Sequence, residues 1–444
     1  MIEPKILKGF RDLLPATMID KKKLIAGLEN LFTGFGFDPI DTPALEYTEI
    51  LLGKGSGETD KQIYRFKDHG GRDVSLRFDL TVPLARFVSL HKNELIFPFK
   101  RYHIAPVWRG ENTQKGRYRE FYQCDFDILG TEAVASDIEI LLVIYNGFKI
   151  LNAGTPIINI NNRMILNNTL IKLKIHEKSA DILRTIDKIY KIGEAKVIEE
   201  LTAIAGLTLS QAQEILKLLK FEGLSNNYYE VTGSNIFKAL TIVKENLGSE
   251  LAGPVIMMET VFKTLEQLGV LDNFAYNPAI TRGLDYYTGI VFESFIEDKR
   301  EFGSVCSGGR YDNLTGLYSK TPVSGIGGSF GLDRLLALME DKSLLSGKKS
   351  VSEVIIFNLS DNHLSEYYKL ASVLRENGIN SEVIYEAGKL AGQFKYAEKK
   401  GVRYVVIAGT DELTKGVYNL KEITTGKEFK EYNAAQIINE VKGK

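Results

Sequence analysis

RYHIAPVWRGENTQKGRYREFYQCDFDILG, Arg101 to Gly130, is the stretch on which the fold turns. Its two arms, FPFKRYHIAPVW and REFYQCDFDIL, have the residue types and alternation of strands. Between them GENTQKGRY is polar and contains glycine, so it reads as the connection of an antiparallel hairpin with an unusually charged tip. Gln123 and Asp127 lie four apart on the second arm and therefore share a face. An acid on the inner side of a sheet needs a partner. Either it is buried against an arginine, or it belongs to a pocket for a cationic or amine-bearing small molecule.

Outward from the hairpin, SLRFDLTVPLARF turns helical near Val82, and a helix is expected from Ala135 to Asn152. Nearer the start, Leu24, Leu28, Leu31 and Phe32 form one apolar helical stripe after Pro15, and Gly34 and Gly36 stop it. A strand is expected over Phe37 to Thr42, closed by Pro43. Residues from about 166 to 270 are rich in Lys, Glu, Leu and Ile at helical spacing, as in AKVIEELTAIAG and LSQAQEILKLLK. They read as an inserted helical module without a catalytic constellation. Strands and Gly-rich turns return over 278 to 340 and end in a helix. A linker follows in Asp341 to Val351. The last hundred residues alternate strand and helix, which predicts a separate unit with a mostly parallel sheet.

The 444 residues correspond to about three domains. Fifty-six basic against fifty-seven acidic side chains exclude a basic DNA-coating protein and an acidic solvating tail. A local basic surface can still sit inside a neutral total. The two cysteines, Cys124 and Cys306, have no paired metal spacing and make no disulfide framework, which fits a reducing cytoplasm. The opening MIEPKILKGFRDLLP lacks the apolar core of a secretory signal. The most apolar helical stretch, Ile138 to Leu151, is too short and too polar to span a bilayer. A cytoplasmic enzyme is expected.

Arginines supply the first chemical signal. Arg109 ends the first arm of the hairpin, Arg117 and Arg119 lie across it, Arg282 precedes a glycine, and Arg334 opens a helix after GIGGSFG, Gly325 to Gly331. A planar guanidinium holds two phosphate oxygens at once. Taken singly each is an ordinary surface salt-bridge residue; several at strand ends beside Gly-rich turns shift the reading toward a phosphate site. The glycine run would let a backbone pass close to a ligand before a helix starts. It is neither a Walker loop nor a dinucleotide fingerprint, since no Gly-Lys-Ser/Thr follows and the spacing differs. Asp79, Thr81, Gln123, Asp127, Tyr286 and Tyr287 add acids, an amide and hydroxyls at strand positions.

Together these segments resemble a class II aminoacyl-tRNA synthetase. The hairpin is similar to class motif 2, GIGGSFGLDRLLALM with Arg334 to motif 3, and the helix and strand ending at Pro43 to the dimer-forming motif 1. RGLDYYTG (Arg282 to Gly289), SGGRYDNL (Ser307 to Leu314) and the opening KGFRDLLP resemble the histidine-specific members, the histidyl-tRNA synthetase family, over essentially the whole chain. The implied fold is an α+β catalytic domain on an antiparallel sheet, a mostly helical insertion and a C-terminal α/β anticodon-binding domain. The expected boundaries are 1–165 and 271–342 for the catalytic parts, 166–270 for the insertion, 343–350 for a linker and 351–444 for the last domain.

The implied reaction joins L-histidine to ATP and passes the histidyl group to tRNA(His). The resemblance places Arg109 and Arg282 at the α-phosphate, Glu111 and Phe121 at the adenine, and Arg117 and Arg334 near the outer phosphates, which Mg²⁺ would bridge. No protein side chain is assigned to the metal. Asp79, Thr81 and Gln123 are implied at the histidine ammonium group, Tyr287 and Asp127 at the imidazole, with Tyr286 and Tyr311 lining the same pocket. Arg109 and Arg282 also reach histidine. Some members carry Glu where this chain has Asp79 and Asp127, so reach differs while charge is kept. A homodimer without a membrane partner is implied. A catalytically silent regulator of histidine biosynthesis shares the core. This chain departs from it by keeping Arg282, Tyr286 and Tyr287 and running about a hundred residues past motif 3.

Overall fold

The computed structural model describes residues 1–53, 61–281, 287–312 and 314–443. Contacts divide the chain into two compact units, 1–11 with 24–344, and 12–23 with 345–444. In the first unit the strands are β1 (Asp38–Pro39), β2 (Phe99–Trp108), β3 (Glu120–Leu129), β4 (Pro156–Asn162), β5 (Val231–Thr232), β6 (Phe274–Tyr276), β7 (Ile290–Ile296), β8 (Cys306–Tyr311) and β9 (Gly325–Gly331). They form one sheet in the order β1-β2-β3-β9-β8-β7-β4-β6-β5. Only β1 with β2 and β4 with β6 run parallel. The hairpin pairs Phe99 with Leu129 through to Trp108 with Glu120 without a break.

Alternation splits this sheet into an apolar and a polar face. Cys124, Phe126 and Ile128 on β3, Ile326 and Phe330 on β9, and Phe292 on β7 are all buried on the apolar face. Four of the helices are α1 (Pro15–Gly34), α2 (Thr81–Leu90), α3 (Val134–Leu151) and α4 (Leu332–Asp341). The α1 stripe is buried, and its Phe32 stacks on Phe126 at 5.2 Å. Phe148 of α3 meets Phe330 edge-on at 5.5 Å. A side chain at Gly147 would come within 2.4 Å of the Phe330 ring, so glycine sets how closely α3 approaches.

The strand expected over Phe37 to Thr42 is shorter. Only Asp38 and Pro39 pair, with Arg101 and Tyr102, and one further bond joins the Ile40 N–H to the Tyr102 carbonyl. Pro39 has no N–H to give a ladder, which confines it to an edge. A small antiparallel sheet of Leu45–Tyr47, Asp73–Leu76 and Arg65–Lys67 precedes α2.

Helices Arg163–Lys172, Ser179–Ile186, Ile189–Ala203 and Leu209–Leu219 share a core of their own that includes Leu170, Ile182, Val197, Leu201 and Ile215. Helix Gly253–Gln267 packs instead on α3, burying Val255, Met258, Val261, Phe262 and Leu265.

The second unit holds β10 (Val354–Ile356), β11 (Ser381–Val383), β12 (Tyr404–Ile407), β13 (Tyr418–Glu422) and β14 (Glu428–Tyr432), ordered β11-β10-β12-β13-β14. β10 is parallel to β11 and β12, but β12, β13 and β14 are antiparallel. The sheet is therefore mixed, not mostly parallel. Helices Leu364–Glu376 and Leu390–Lys400 carry the chain back for the parallel strands, whereas only the six-residue helix Thr410–Lys415 separates β12 from β13. That is too little chain for a parallel crossover. Among the described residues no helix is long and apolar enough to cross a membrane.

Candidate active site

The polar face of the sheet is built by register. Arg101 stands opposite Asp127 and His103 opposite Asp125 across β2 and β3. On the other side of β3, Gly327 faces Asp127 and Ser329 faces Asp125. Arg101 is fully buried and ion-pairs with Asp127 at 2.6 Å. The Tyr311 hydroxyl donates to Asp127 Oδ1 at 2.6 Å. Burial raises the Asp127 carboxyl, with Arg101 and Tyr311 pulling it back.

The glycine run is strand β9, continuing straight into α4 as expected; its last glycine, Gly331, lies at the cavity wall, and others clear space for protein side chains. A Cβ on Gly327 would lie 1.9 Å from Asp127 Oδ1, and one on Gly325 2.5 Å from the Tyr311 ring.

Asp79 lies between the small sheet and α2 and uses its two oxygens differently. Oδ1 accepts the Val82 N–H at 3.1 Å, capping the helix start, while Oδ2 is buried without a hydrogen-bond partner among the described residues. Burial pushes this carboxyl up to about 6, although the Val82 N–H, Arg109 and Arg101 act the other way. Burial also pushes Asp125 up to about 7; Arg101 opposes that, and Asp127 and Asp79 add to it. His103 moves down to about 4 through burial and then Arg101 and Arg77, with Asp41 pulling weakly against them. It is neutral near pH 7 and adds no positive charge. Its Nε2 lies 2.9 Å from Asp41 Oδ1. Among the described residues the cluster thus holds three buried carboxyls, Asp79, Asp125 and Asp127, each pushed up chiefly by burial.

Beside this cluster a cavity of about 170 Å³ is lined by Arg109, Glu111, Arg117, Phe121, Gln123 and Arg334, with Ser329 and Asp333 also at its wall. Arg109 is held at the end of β2: its Nε donates to the Phe78 carbonyl at 2.8 Å and its guanidinium lies 5.2 Å above the Phe121 ring. Arg117 ion-pairs with Glu111 across the turn. Arg334 stands in the first turn of α4 and donates to the Ser304 carbonyl.

Asp333 accepts the Tyr122 N–H at 2.6 Å and pairs with Arg11, whose guanidinium covers the Tyr118 ring at 3.8 Å. The KGFRDLLP opening is therefore tied to the hairpin, with a further bond from the Arg119 N–H to the Gly9 carbonyl at 2.9 Å. Gly9 has φ +89°, and a Cβ there would come 2.7 Å from the Arg119 side chain.

The cavity brings together Arg109, Glu111, Arg117, Phe121, Gln123 and Arg334. Asp127 and Tyr311 belong to the adjoining buried cluster. Thr81 begins α2, and Tyr287 packs against a buried cluster that includes Leu84, Leu129 and Tyr311. Arg282 and Tyr286 lie outside the described residues. Sequence reasoning missed Arg101, His103, Asp125, Ser329 and Asp333. The alternation that put Gln123 and Asp127 on one face also places Asp125 there. Continued across the hairpin register, it finds Arg101 and His103. Ser329 and Asp333 had no such local signal.

Among the described residues no group of three or more His, Cys, Asp or Glu could hold a metal ion. Cys124 and Cys306 are buried and form no disulfide.

Known proteins match this chain over nearly its whole length. A family model described as histidyl-tRNA synthetase matches residues 9–335, and one described as anticodon binding domain matches 353–444. A histidine–tRNA ligase of Treponema denticola is 46% identical over 93% of this chain and 90% of its own length. One of Rhodopirellula baltica is 46% identical over 96% and 94%. The crystal structure of histidyl-tRNA synthetase from Nostoc sp. PCC 7120 superposes with a TM-score of 0.88 at 32% identity, covering both chains completely.

Proposed function

The chain belongs to the histidyl-tRNA synthetase family, and from that premise we propose how its residues divide the family's reaction. The chain activates L-histidine with ATP to histidyl-adenylate and pyrophosphate, then transfers the histidyl group to the 3′ end of tRNA(His), releasing AMP.

Histidine's carboxylate attacks the α-phosphate, where negative charge accumulates. Arg109 and Arg282 meet that charge and also orient the carboxylate. Fixed cations lower such a barrier because they need no rearrangement at the moment of reaction. Arg109 has the required fixity, through the Phe78 carbonyl and the Phe121 ring. Glu111 and Phe121 receive the adenine, by accepting from its amine and by stacking. Arg117 and Arg334 take the outer phosphates, and Arg117 would exchange its Glu111 partner for phosphate when ATP enters. The two acids at the cavity wall, Glu111 and Asp333, already hold arginines. This donor set would suit Mg²⁺ held chiefly by phosphate oxygens and water, and such an ion would supply positive charge to the outer phosphates.

Asp79, Thr81 and Gln123 bind the ammonium group; Tyr287 and Asp127 bind the imidazole, with Tyr286 and Tyr311 lining the pocket. One observation carries this reading. Asp79 Oδ2 and Gln123 Oε1 are buried acceptors without hydrogen-bond partners among the described residues, in a cluster whose carboxyls are pushed up chiefly by burial. An ammonium ion supplies donors for both and a positive charge beside the carboxyls.

We assign residues 1–165 and 271–342 to catalysis, 166–270 to an insertion with a structural or substrate-clamping role, 343–350 to a linker and 351–444 to the anticodon. The protein works in the cytoplasm as a homodimer built through α1 and β1. Light scattering at micromolar concentration should give twice the chain mass, and a stable monomer would count against the dimer.

The deciding experiment for the whole assignment is ATP–pyrophosphate exchange with each amino acid in turn, followed by charging of tRNA(His). Exchange should require histidine and charging should follow. A folded protein that binds ATP without histidine-dependent exchange would overturn it.

A further inference from the structure

Gln123 ends in a primary amide, whose oxygen and nitrogen are nearly alike in shape and opposite in chemistry. Only the oxygen can accept from an ammonium group; the nitrogen, presented instead, would repel it. Something must select the orientation. Gln123 Nε2 donates to Asp125 Oδ1 at 3.3 Å and to Ser329 Oγ at 3.1 Å. Both donors of the amide are thereby used, and Oε1 is left buried without a hydrogen-bond partner among the described residues. Asp125 is 2% exposed and lies two residues along β3 on the same face, directly opposite Ser329.

We infer that Asp125 is a positioning residue for histidine: together with Ser329 it holds the nitrogen of the Gln123 amide, so that the oxygen is the atom offered to the ammonium group. The inference rests on the proposed function, in which Gln123 meets that group.

Asp125 suits the task because an ionised carboxylate only accepts hydrogen bonds, so it refuses the flipped amide. Several groups surround it. Arg101 and His103 face it from β2, Asp127 from its own strand and Asp79 from the approach to α2, while the Cys306 thiol lies near it on the opposite face of the sheet. Of these, Arg101 is already ion-paired to Asp127 and His103 is neutral and turned to Asp41. The Ser329 hydroxyl, directly opposite on β9, pulls the Asp125 carboxyl down, so the two supports of the amide are neighbours. An ammonium arriving beside Asp79 and Gln123 favours the ionised form of Asp125, the form that enforces the orientation.

The test is Asp125→Asn, which keeps shape but can bond either end of the amide. In histidine-dependent ATP–pyrophosphate exchange it should raise the KM for histidine on the order of tenfold and leave the KM for ATP nearly unchanged. Inhibition by 3-(imidazol-4-yl)propionate, which lacks the ammonium group, should be unaffected. A general structural defect would weaken both ligands alike and would overturn the proposal. Ser329→Ala should give the same pattern more weakly. In a Gln123→Ala background, Asp125→Asn should add nothing further to the histidine KM; an additive loss there would mean that Asp125 acts by another route. Should Gln123→Ala alone leave the histidine KM untouched, the underlying reading of Gln123 fails, which is a separate result from additivity.

Discussion

In the proposed reaction Arg109 is a side chain held ready for a charge that exists only briefly. Its Nε is fixed to a backbone carbonyl and its plane is steadied by Phe121, which leaves the outer fork for phosphate. Arg109→Ala should slow adenylate formation in single turnover by about 10²- to 10³-fold. The thermal melt should be little changed, and lysine should restore only part of the rate, since it cannot hold two oxygens in a plane. Normal single-turnover rates with weakened substrate binding would assign Arg109 to ground-state binding instead.

Asp125 illustrates the opposite cost. Its folded carboxyl is pushed up to about 7 from an ordinary 3.8. Between those values the native state holds more protons than the unfolded chain, so this group's contribution to stability is lost as pH rises toward 7. The Asn variant lacks the titration. Without substrates its stability should match the parent near pH 4 and exceed it at pH 8 by roughly 1–3 kcal/mol. His103 titrates in the opposite sense in both proteins and cancels in the comparison. A stability difference that does not change with pH would refute the assignment.

At the scale of elements, β9 is informative because its glycines are needed for reasons a neighbouring strand supplies. Gly327→Ala would drive a methyl group into Asp127, the partner of Arg101 and Tyr311. Overpacking of this kind costs about 1–3 kcal/mol, and the histidine KM should rise more than the ATP KM. Gly392, inside helix Leu390–Lys400, has nothing within 4 Å of where its Cβ would be. Alanine there should instead stabilise its unit by up to about 1 kcal/mol. Chemical denaturation of the two variants distinguishes them, and shifts of the same sign would discredit the packing argument.

Alternation within β2 and β3 was legible from the residues alone, and it located Gln123 and Asp127 on one face. The glycine run was legible as unusual, but the room that Gly325 and Gly327 make for Tyr311 and Asp127 was not, because those side chains reach it from other strands. The shortness of β1 follows from Pro39 at an edge, a constraint that matters only once its neighbour is known.

For the whole molecule, the cavity-lining residues all fall within the first unit, residues 1–11 and 24–344. Removing 345–444 should therefore retain part of the histidine-dependent exchange and abolish most charging of tRNA. The segment 12–23 groups with the removed unit, and Asp20 would lose the Ser346 N–H that it accepts at 3.0 Å. A lower melting temperature is expected alongside. Equal loss of exchange and charging in a truncated protein that still folds would reject the division of labour.

By itself the sequence determined what neighbouring residues can express: the α1 stripe, the hairpin and its charged turn, the helical character of 166–270, and a last unit built on its own sheet. Each depends on periodicity within a few turns or one strand, where side-chain direction follows from backbone geometry. Tertiary structure alone decided which strand lies beside which. The pairing of β3 with β9 joins residues two hundred apart, and it brings Ser329 to Asp125 and Gly327 to Asp127. It also decided that Arg101 would neutralise Asp127, that Asp125 and Asp79 would be pushed toward neutrality, and that the last sheet would be mixed. These outcomes rest on burial and long-range pairing, and the energy of a buried charge is set by whatever the fold places around it.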